Sequence, residues 1–328
     1  MNDASVVLTA ENIRMWFPVR NTLGRVVNHV KAVENVSLQL KAGETYGLVG
    51  ESGCGKSTFG RVLARLLEPT DGRVTLFGKD ITHLNDRDLR PFRHDIQVVF
   101  QDPYTSLDPR QRIGSMLMEV QQINGVGSSR DDRMARAMET LAQVGLLKEH
   151  FYRFPHEFSG GQRQRIGLAR ALILDPRIII CDEPVSALDV SIQSQIINLL
   201  RDLQQQRGLS YLFISHDMSV IKYISDRVGV MYLGHLVEEA ETDELFAHPI
   251  HPYTRTLMSA VPSIDPRAVT ERIVLEGDLP SPIDPPSGCV FHTRCPRAVS
   301  ACQGTNPVLC EIRPGHAVAC PVCAEKEP

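Results

Sequence analysis

Gly50-Glu51-Ser52-Gly53-Cys54-Gly55-Lys56-Ser57-Thr58 has the composition and spacing of a phosphate-binding loop, and its surroundings decide the fold. The run Glu44 to Val49 before it reads as a short buried strand. The run Phe59 to Leu67 after it reads as helix, stopped by Pro69. Glycines let a backbone wrap phosphates while successive N–H groups point inward at them. A helix beginning at Lys56 adds the positive end of its dipole. Lys56 is then placed to reach the β- and γ-phosphates of a nucleoside triphosphate, and Ser57 to ligate Mg²⁺. Strand before and helix after separate such a loop from a glycine-rich surface turn.

Further out, Val6 to Leu40 carries alternating apolar residues and suggests antiparallel strands around a polar loop between Arg20 and Asn28. Asp71 to Phe77 is another strand candidate. Asp131 to Val144 reads as helix, with Met134, Met138, Leu141 and Val144 on one face. Arg177 to Cys181 and Tyr211 to Ile214 read as buried strands, separated by an amphipathic helix from Ser191 to Arg207 that Gly208 stops. Strand–helix alternation around a phosphate loop predicts an α/β fold with a parallel sheet. From about Ala247 proline becomes frequent and helical periodicity fades, which sets a boundary: an ATPase domain over 1–246 and an extension over 247–328. No internal repeat is present, so the chain carries one ATPase module.

Two segments extend the chemistry. Ile178-Ile179-Ile180-Cys181-Asp182-Glu183 is an apolar strand ending in two carboxylates, where open α/β sheets bind ligands. Asp182 is expected to hold Mg²⁺ through water, and Glu183 to act as general base on the attacking water. Phe158-Ser159-Gly160-Gly161-Gln162 opens a helix running to Leu174 and makes a second anion site at a helix start. Two such starts in a one-module chain make sense if the second completes the nucleotide pocket of another subunit.

The order of the loop at Gly50 to Thr58, then Gln101, Ser159 to Gln162, Ile178 to Glu183, Ser186-Ala187-Leu188-Asp189 and His216 resembles the ATP-binding-cassette (ABC) ATPases over roughly residues 5 to 245. The resemblance implies a RecA-like parallel sheet, an antiparallel β subdomain and an inserted helical subdomain at about 103–172. It also implies a head-to-tail dimer with ATP sandwiched between subunits. Gln101 then contacts Mg²⁺ or the water and links the site to a membrane partner, His216 contacts the γ-phosphate, and Asp189 shapes the dimer seam. Phe17, or else Trp16, stacks on adenine. Phe158 stands where the family more often has Leu.

The tail narrows the resemblance. His251-Pro252-Tyr253-Thr254-Arg255-Thr256-Leu257, Leu279-Pro280-Ser281-Pro282 and Gly288-Cys289-Val290-Phe291-His292-Thr293-Arg294-Cys295-Pro296 resemble the C-terminal extension of dipeptide and oligopeptide importer ATPases, most like their F type. Tyr104-Thr105-Ser106-Leu107-Asp108-Pro109 adds to it. The implied partners are a homologous ABC ATPase in a heterodimer, two membrane permeases and, indirectly, an extracytoplasmic peptide-binding protein. Nickel importers use closely similar ATPases.

Six of the eight cysteines (Cys289, Cys295, Cys302, Cys310, Cys320 and Cys323) crowd into a proline-rich tail too polar to make its own core. Such a module often needs a metal staple, and four sulfurs suit either Zn²⁺ or a [4Fe–4S] cluster. The resemblance favours iron–sulfur, held by Cys289, Cys295, Cys302 and Cys320, over zinc or no metal at all with the thiols loose or oxidised. The choice of Cys320 over Cys323 rests on that resemblance.

Of 328 residues 42% are hydrophobic and 23% charged, and the net charge of −4 gives no basic footprint for nucleic acid. The N-terminus lacks a basic-then-apolar pattern, and no apolar run approaches the roughly 18 residues of a membrane span. The expectation is a peripheral protein on the cytoplasmic side of the cell membrane.

Overall fold

A computed structural model of the chain describes residues 5–102, 106–261, 273, 275, 277–304 and 306–324. Tyr104, in the family wording above, lies outside the described residues. The described residues divide into two compact units: Ser5 with Lys41–Gly43 and those of Leu84–Ile214, and Val6–Leu40 with Glu44–His83 and those from Ser215 on.

The second unit carries the phosphate loop and two sheets. Strands β1 (Val6–Arg20), β2 (Val26–Lys41), β4 (Asp71–Leu76) and β5 (Lys79–Asp80) lie in the order β2-β1-β4-β5. β1 runs antiparallel to β4, Leu8 opposite Leu76 and Ala10 opposite Val74, as the alternating apolar pattern predicts. The other sheet is built on β3 (Thr45–Val49), buried at all five residues. It pairs parallel with β9 (Arg227–Tyr232), which pairs antiparallel with β10 (His235–Glu241).

The helix after the phosphate loop spans Lys56–Leu63, four residues shorter than expected. It stops because Arg65 adopts a left-handed φ of 53° and its Nε donates to the Ile81 carbonyl at 2.9 Å. A tertiary hydrogen bond therefore ends the helix well before Pro69.

The tail departs further from expectation. Helical structure does not fade after Ala247: Pro252–Ser259 is helical, with Pro252 at its first turn and Tyr253, Thr254 and Thr256 buried. Downstream, β11 (Cys310–Arg313) and β12 (His316–Val318) form a hairpin whose inner strand pairs with β10, Glu238 opposite Val318. The tail thus lengthens the sheet to the order β11-β12-β10-β9-β3. Ile250, Val318, Cys320 and Cys323 form a small core with Ile312 and Val322 packed on it. The segment read as too polar for a core of its own thus forms a small one, beside the strand it joins.

The first unit holds β6 (Ile96–Val99), β7 (Ile178–Asp182) and β8 (Ser210–Ser215), paired in parallel with Val99 opposite Cys181 and Cys181 opposite Phe213. β7 and β8 are buried at every residue, the mark of strands covered on both faces. The helices Ile113–Ile123, Arg130–Gln143 and Gly160–Leu172 pack on one another within the span predicted as helical. Val190–Arg207 is the long amphipathic helix, closed by Gly208 in the left-handed region at φ 65°. Among the described residues, no helix is long and apolar enough to cross a membrane.

Candidate functional site

Two glycines wedge the phosphate loop in place. Gly50 has φ 154°, and a Cβ there would run into the Met231 carbonyl; Gly55 has φ 104°, and a Cβ there would run into the Ala32 carbonyl. Lys56 is only 3% exposed, and its Nζ donates to the carbonyls of Gly50 at 2.8 Å and Glu51 at 2.9 Å. The ammonium is thereby folded back over its own loop. Gly55 occupies the cap position, and no side chain caps the helix start. Backbone donors at such a start are suited to phosphate. Ser57 and Thr58 sit half-buried on its first turn. Burial pushes the Cys54 thiol up, against the opposing pull of Lys56, so it packs rather than reacts.

The carboxylates close β7 as expected. Asp182 is 3% exposed at the strand's end. Glu183 follows at φ 47°, a left-handed conformation that costs a non-glycine residue about 1–3 kcal/mol and is often kept at functional sites. The turn is over-determined: the Glu183 N–H donates to the Ile214 carbonyl at 3.0 Å, and its own carbonyl accepts from Ser186 Oγ at 3.1 Å. The Gln101 amide Nε2 donates to Glu183 Oε2 at 3.0 Å. These residues lie 82 apart in sequence and meet because β6 and β7 are neighbouring parallel strands whose C-terminal ends coincide. The unit therefore orients a half-buried carboxylate with a neutral amide. Burial pushes the adjacent Cys181 thiol far up and leaves it a core residue.

Ser159-Gly160-Gly161-Gln162 opens its helix as a reciprocal capping box. The Gln162 N–H donates to Ser159 Oγ at 3.4 Å, and the Ser159 N–H donates to Gln162 Oε1 at 3.1 Å. Ser159 is exposed, whereas Gly161 is buried where a Cβ would meet Ile192. Asp189 is exposed at the cap position of Val190–Arg207 without capping it through its side chain. His216 is exposed directly after β8, beside Asp217, which caps the next helix.

The two aromatic candidates differ in availability. The Trp16 indole Nε1 donates to Glu34 Oε2 at 2.8 Å, and Lys31 Nζ lies 5.6 Å from its ring centroid. Phe17 is 36% exposed.

Cys289, Cys295, Cys302, Cys320 and Cys323 line one cavity together with His251 and His292, and none forms a disulfide. Cys310 is exposed on β11 and outside it. Burial pushes the Cys289 thiol up to about 11, while a hydrogen bond from Cys323 pulls Cys320 down. The donor chemistry suits a thiolate-bound centre. Even so, among the described residues no group of three or more His, Cys, Asp or Glu side chains stands in an arrangement that could hold a metal ion. The expected cluster therefore has no formed ligand set here.

Sequence reasoning missed two contacts on the loop itself, from Tyr253 and Arg294 to Glu51. The His-Pro-Tyr-Thr and Arg-Cys-Pro wordings marked those residues without revealing that they reach across more than 200 positions.

Comparison with known proteins agrees with this geometry. Residues 33–186 match the family described as ABC transporter, and residues 237–302 the one described as oligopeptide/dipeptide transporter, C-terminal region. The oligopeptide transport ATP-binding protein AppF of Bacillus subtilis is 53% identical over 318 residues, covering 96% of each chain. OppF of Salmonella typhimurium, of the same description, is 55% identical over 293 residues, covering 89% of this chain and 87% of its own. Among solved structures, a dimeric post-hydrolysis state of the ATP-binding cassette MJ0796 bound to ADP and Pi superposes with a TM-score of 0.65. It is 29% identical and covers 72% of this chain and 98% of its own. With the glycine-wedged phosphate loop, the oriented Glu183 and the capped serine–glycine turn in place, the chain belongs to the ABC-transporter ATP-binding family, in the group that carries the oligopeptide/dipeptide transporter C-terminal region.

Proposed function

We propose that this chain is the ATP-hydrolysing subunit that energises import of peptides through partner permeases. The observation that carries the reading is the Gln101–Glu183 pair at the end of β7, a carboxylate aimed by an amide in a chain that also holds a phosphate loop. Lys56 and the loop amides would bind the β- and γ-phosphates, and Ser57, Asp182 and Gln101 the Mg²⁺. Glu183 would accept the proton of the attacking water, and His216 would contact the γ-phosphate. Phe17 would stack on adenine, since Trp16 is engaged by Glu34 and Lys31. Ser159 to Gln162 and Asp189 would face the nucleotide of a second, homologous ATPase. Residues 1–246 would form the nucleotide-binding domain and 247–328 the extension. The complex would sit at the cytoplasmic face of the cell membrane, with an extracytoplasmic binding protein supplying cargo. Glu183→Gln in the assembled complex should retain ATP binding and lower turnover by about 10²–10⁴-fold. Normal steady-state hydrolysis by that variant contradicts the base assignment.

A bound iron–sulfur or zinc centre would draw on Cys289, Cys295, Cys302 and Cys320. Their shared cavity supports this, and the lack of a formed ligand group weighs against it. Anaerobic purification decides: absorption near about 400 nm with iron supports a cluster, and a colourless, iron-free protein rejects it. Nickel-chelate import stays the alternative cargo reading, decided by the pocket of the cognate binding protein.

A further inference from the structure

Glu51 is held at three points. Its N–H donates to Tyr253 Oη at 2.8 Å. Its carboxylate accepts two hydrogen bonds from Arg294 Nη1, at 3.0 and 3.3 Å. Its carbonyl accepts from Lys56 Nζ at 2.9 Å. The first two holds come from the C-terminal extension and the third from the lysine the loop exists to present.

The extension is built to deliver those groups. His251 Nδ1 accepts the Tyr253 N–H at 3.1 Å and so caps the helix that carries Tyr253. The Glu238 carboxylate accepts the N–H groups of Ile250 at 2.7 Å and His251 at 3.0 Å, which fixes where the helix begins. The Tyr253 ring lies 4.8 Å from Tyr232 and 5.4 Å from Phe291, and Phe291 lies 5.1 Å from Tyr232. These three rings are fully buried. Phe291 caps and Arg294 ends a single turn of 3₁₀ helix, His292–Arg294, so the aromatic cluster also aims the guanidinium. The Arg294 side chain is 10% exposed and that of Glu51 28% exposed, so the pair is largely removed from water, where charge-assisted hydrogen bonds hold well. The short distances and rigid supports set this contact apart from an exposed surface ion pair.

We propose that Tyr253 and Arg294 are positioning residues for the phosphate loop, through which the C-terminal extension sets nucleotide affinity. A loop fixed in advance loses less freedom when nucleotide binds. The Tyr253 bond to the Glu51 N–H also fixes the other end of the same peptide group, the Gly50 carbonyl that Lys56 must release to reach a phosphate. The inference rests on reading residues 50–58 as the phosphate loop, and the test separates the two.

Equilibrium titration of the full chain with a fluorescent ATP analogue and Mg²⁺ measures the affinity, with melting curves recorded for every variant. Lys56→Ala serves as control: if it leaves affinity intact, the loop reading itself fails. Given a responsive control, Arg294→Gln should weaken binding about fivefold to tenfold and Tyr253→Phe about threefold. Arg294→Lys should recover part of the loss. The double variant Glu51→Gln/Arg294→Gln should bind no worse than Arg294→Gln alone, because both remove one interaction. In the assembled complex the KM for ATP should rise while kcat changes little. Unchanged or tighter binding by Arg294→Gln and Tyr253→Phe, or strictly additive losses in the double variant, overturns the proposal. A general loss of structure would lower the melting temperature without that coupling pattern, and it counts against the proposal too.

Discussion

The chain opens two helices on glycine-rich turns and treats them in opposite ways. At Gly160 the start is self-satisfied, with Ser159 and Gln162 exchanging reciprocal hydrogen bonds. At Lys56 no side chain caps the start, and the lysine folds back onto the loop carbonyls. A helix start closed by its own side chains is a rigid part that presents a surface. One left without a cap keeps its amide donors suited to an anion. Both look like anion sites in sequence, and the side-chain hydrogen bonding distinguishes them.

The largest expected effect separates the two starts directly. Lys56→Ala should weaken ATP binding by the isolated chain about 10–100-fold, the scale of a lost charged hydrogen bond to phosphate. Equal ATP affinity in variant and wild type would erase the contrast. Gln162→Ala should act differently. It removes the capping box and should cost about 1 kcal/mol of stability in a denaturant melt. ATP affinity of the isolated chain should stay unchanged, while turnover of the assembled complex falls. A loss of ATP affinity in the isolated chain would mean that both starts serve the same nucleotide.

The smallest effect sharpens the comparison through pH, because the Lys56 start is backed by the extension, and a buried histidine of that extension pairs with a carboxylate of β10. His316 Nε2 lies 2.8 Å from Glu238 Oε1, both side chains 0% exposed, and His316 Nδ1 lies 3.3 Å from Glu244 Oε1. Glu244 also pairs with Arg313 and His248. Burial pushes the imidazole down, but its bond to Glu238 and the neighbouring carboxylates outweigh that and raise its pKa. A raised histidine stabilises the fold fully below its unfolded value, about 6.5, and that contribution is lost as pH climbs through the folded value. His251 runs the other way: burial holds it neutral, down to about 4, so it does not titrate across this window. Hydrogen exchange at Val318 and Ala319 should therefore speed up as pH rises above about 6.5, after correction for intrinsic rates, while the helix Gly160–Leu172 is unaffected. His316→Gln should flatten the dependence, and an unaltered slope in that variant would remove His316 as its source.

Legibility followed range. The phosphate loop, the capped turn and the acidic strand end each lie within nine residues, so local residue order and the flanking strand and helix patterns marked them as candidates. The strand and helix positions around them followed from periodicity. The tail resisted because, among the described residues, its strands are three and four residues long and its longest helix eight, too short for a pattern to register. The stop at Arg65 escaped because its cause is the distant Ile81 carbonyl.

The chemistry the chain can attempt was therefore set by local residue order: which glycines bend, which lysine waits, which acids end a strand. Which side chains aim that chemistry was decided by folding alone. Gln101 finds Glu183, and Tyr253 and Arg294 find Glu51, because sheet pairing and a buried aromatic cluster bring together residues separated by 82 to 243 positions. Spacing along a chain carries no information about contacts that exist only once the sheets have formed.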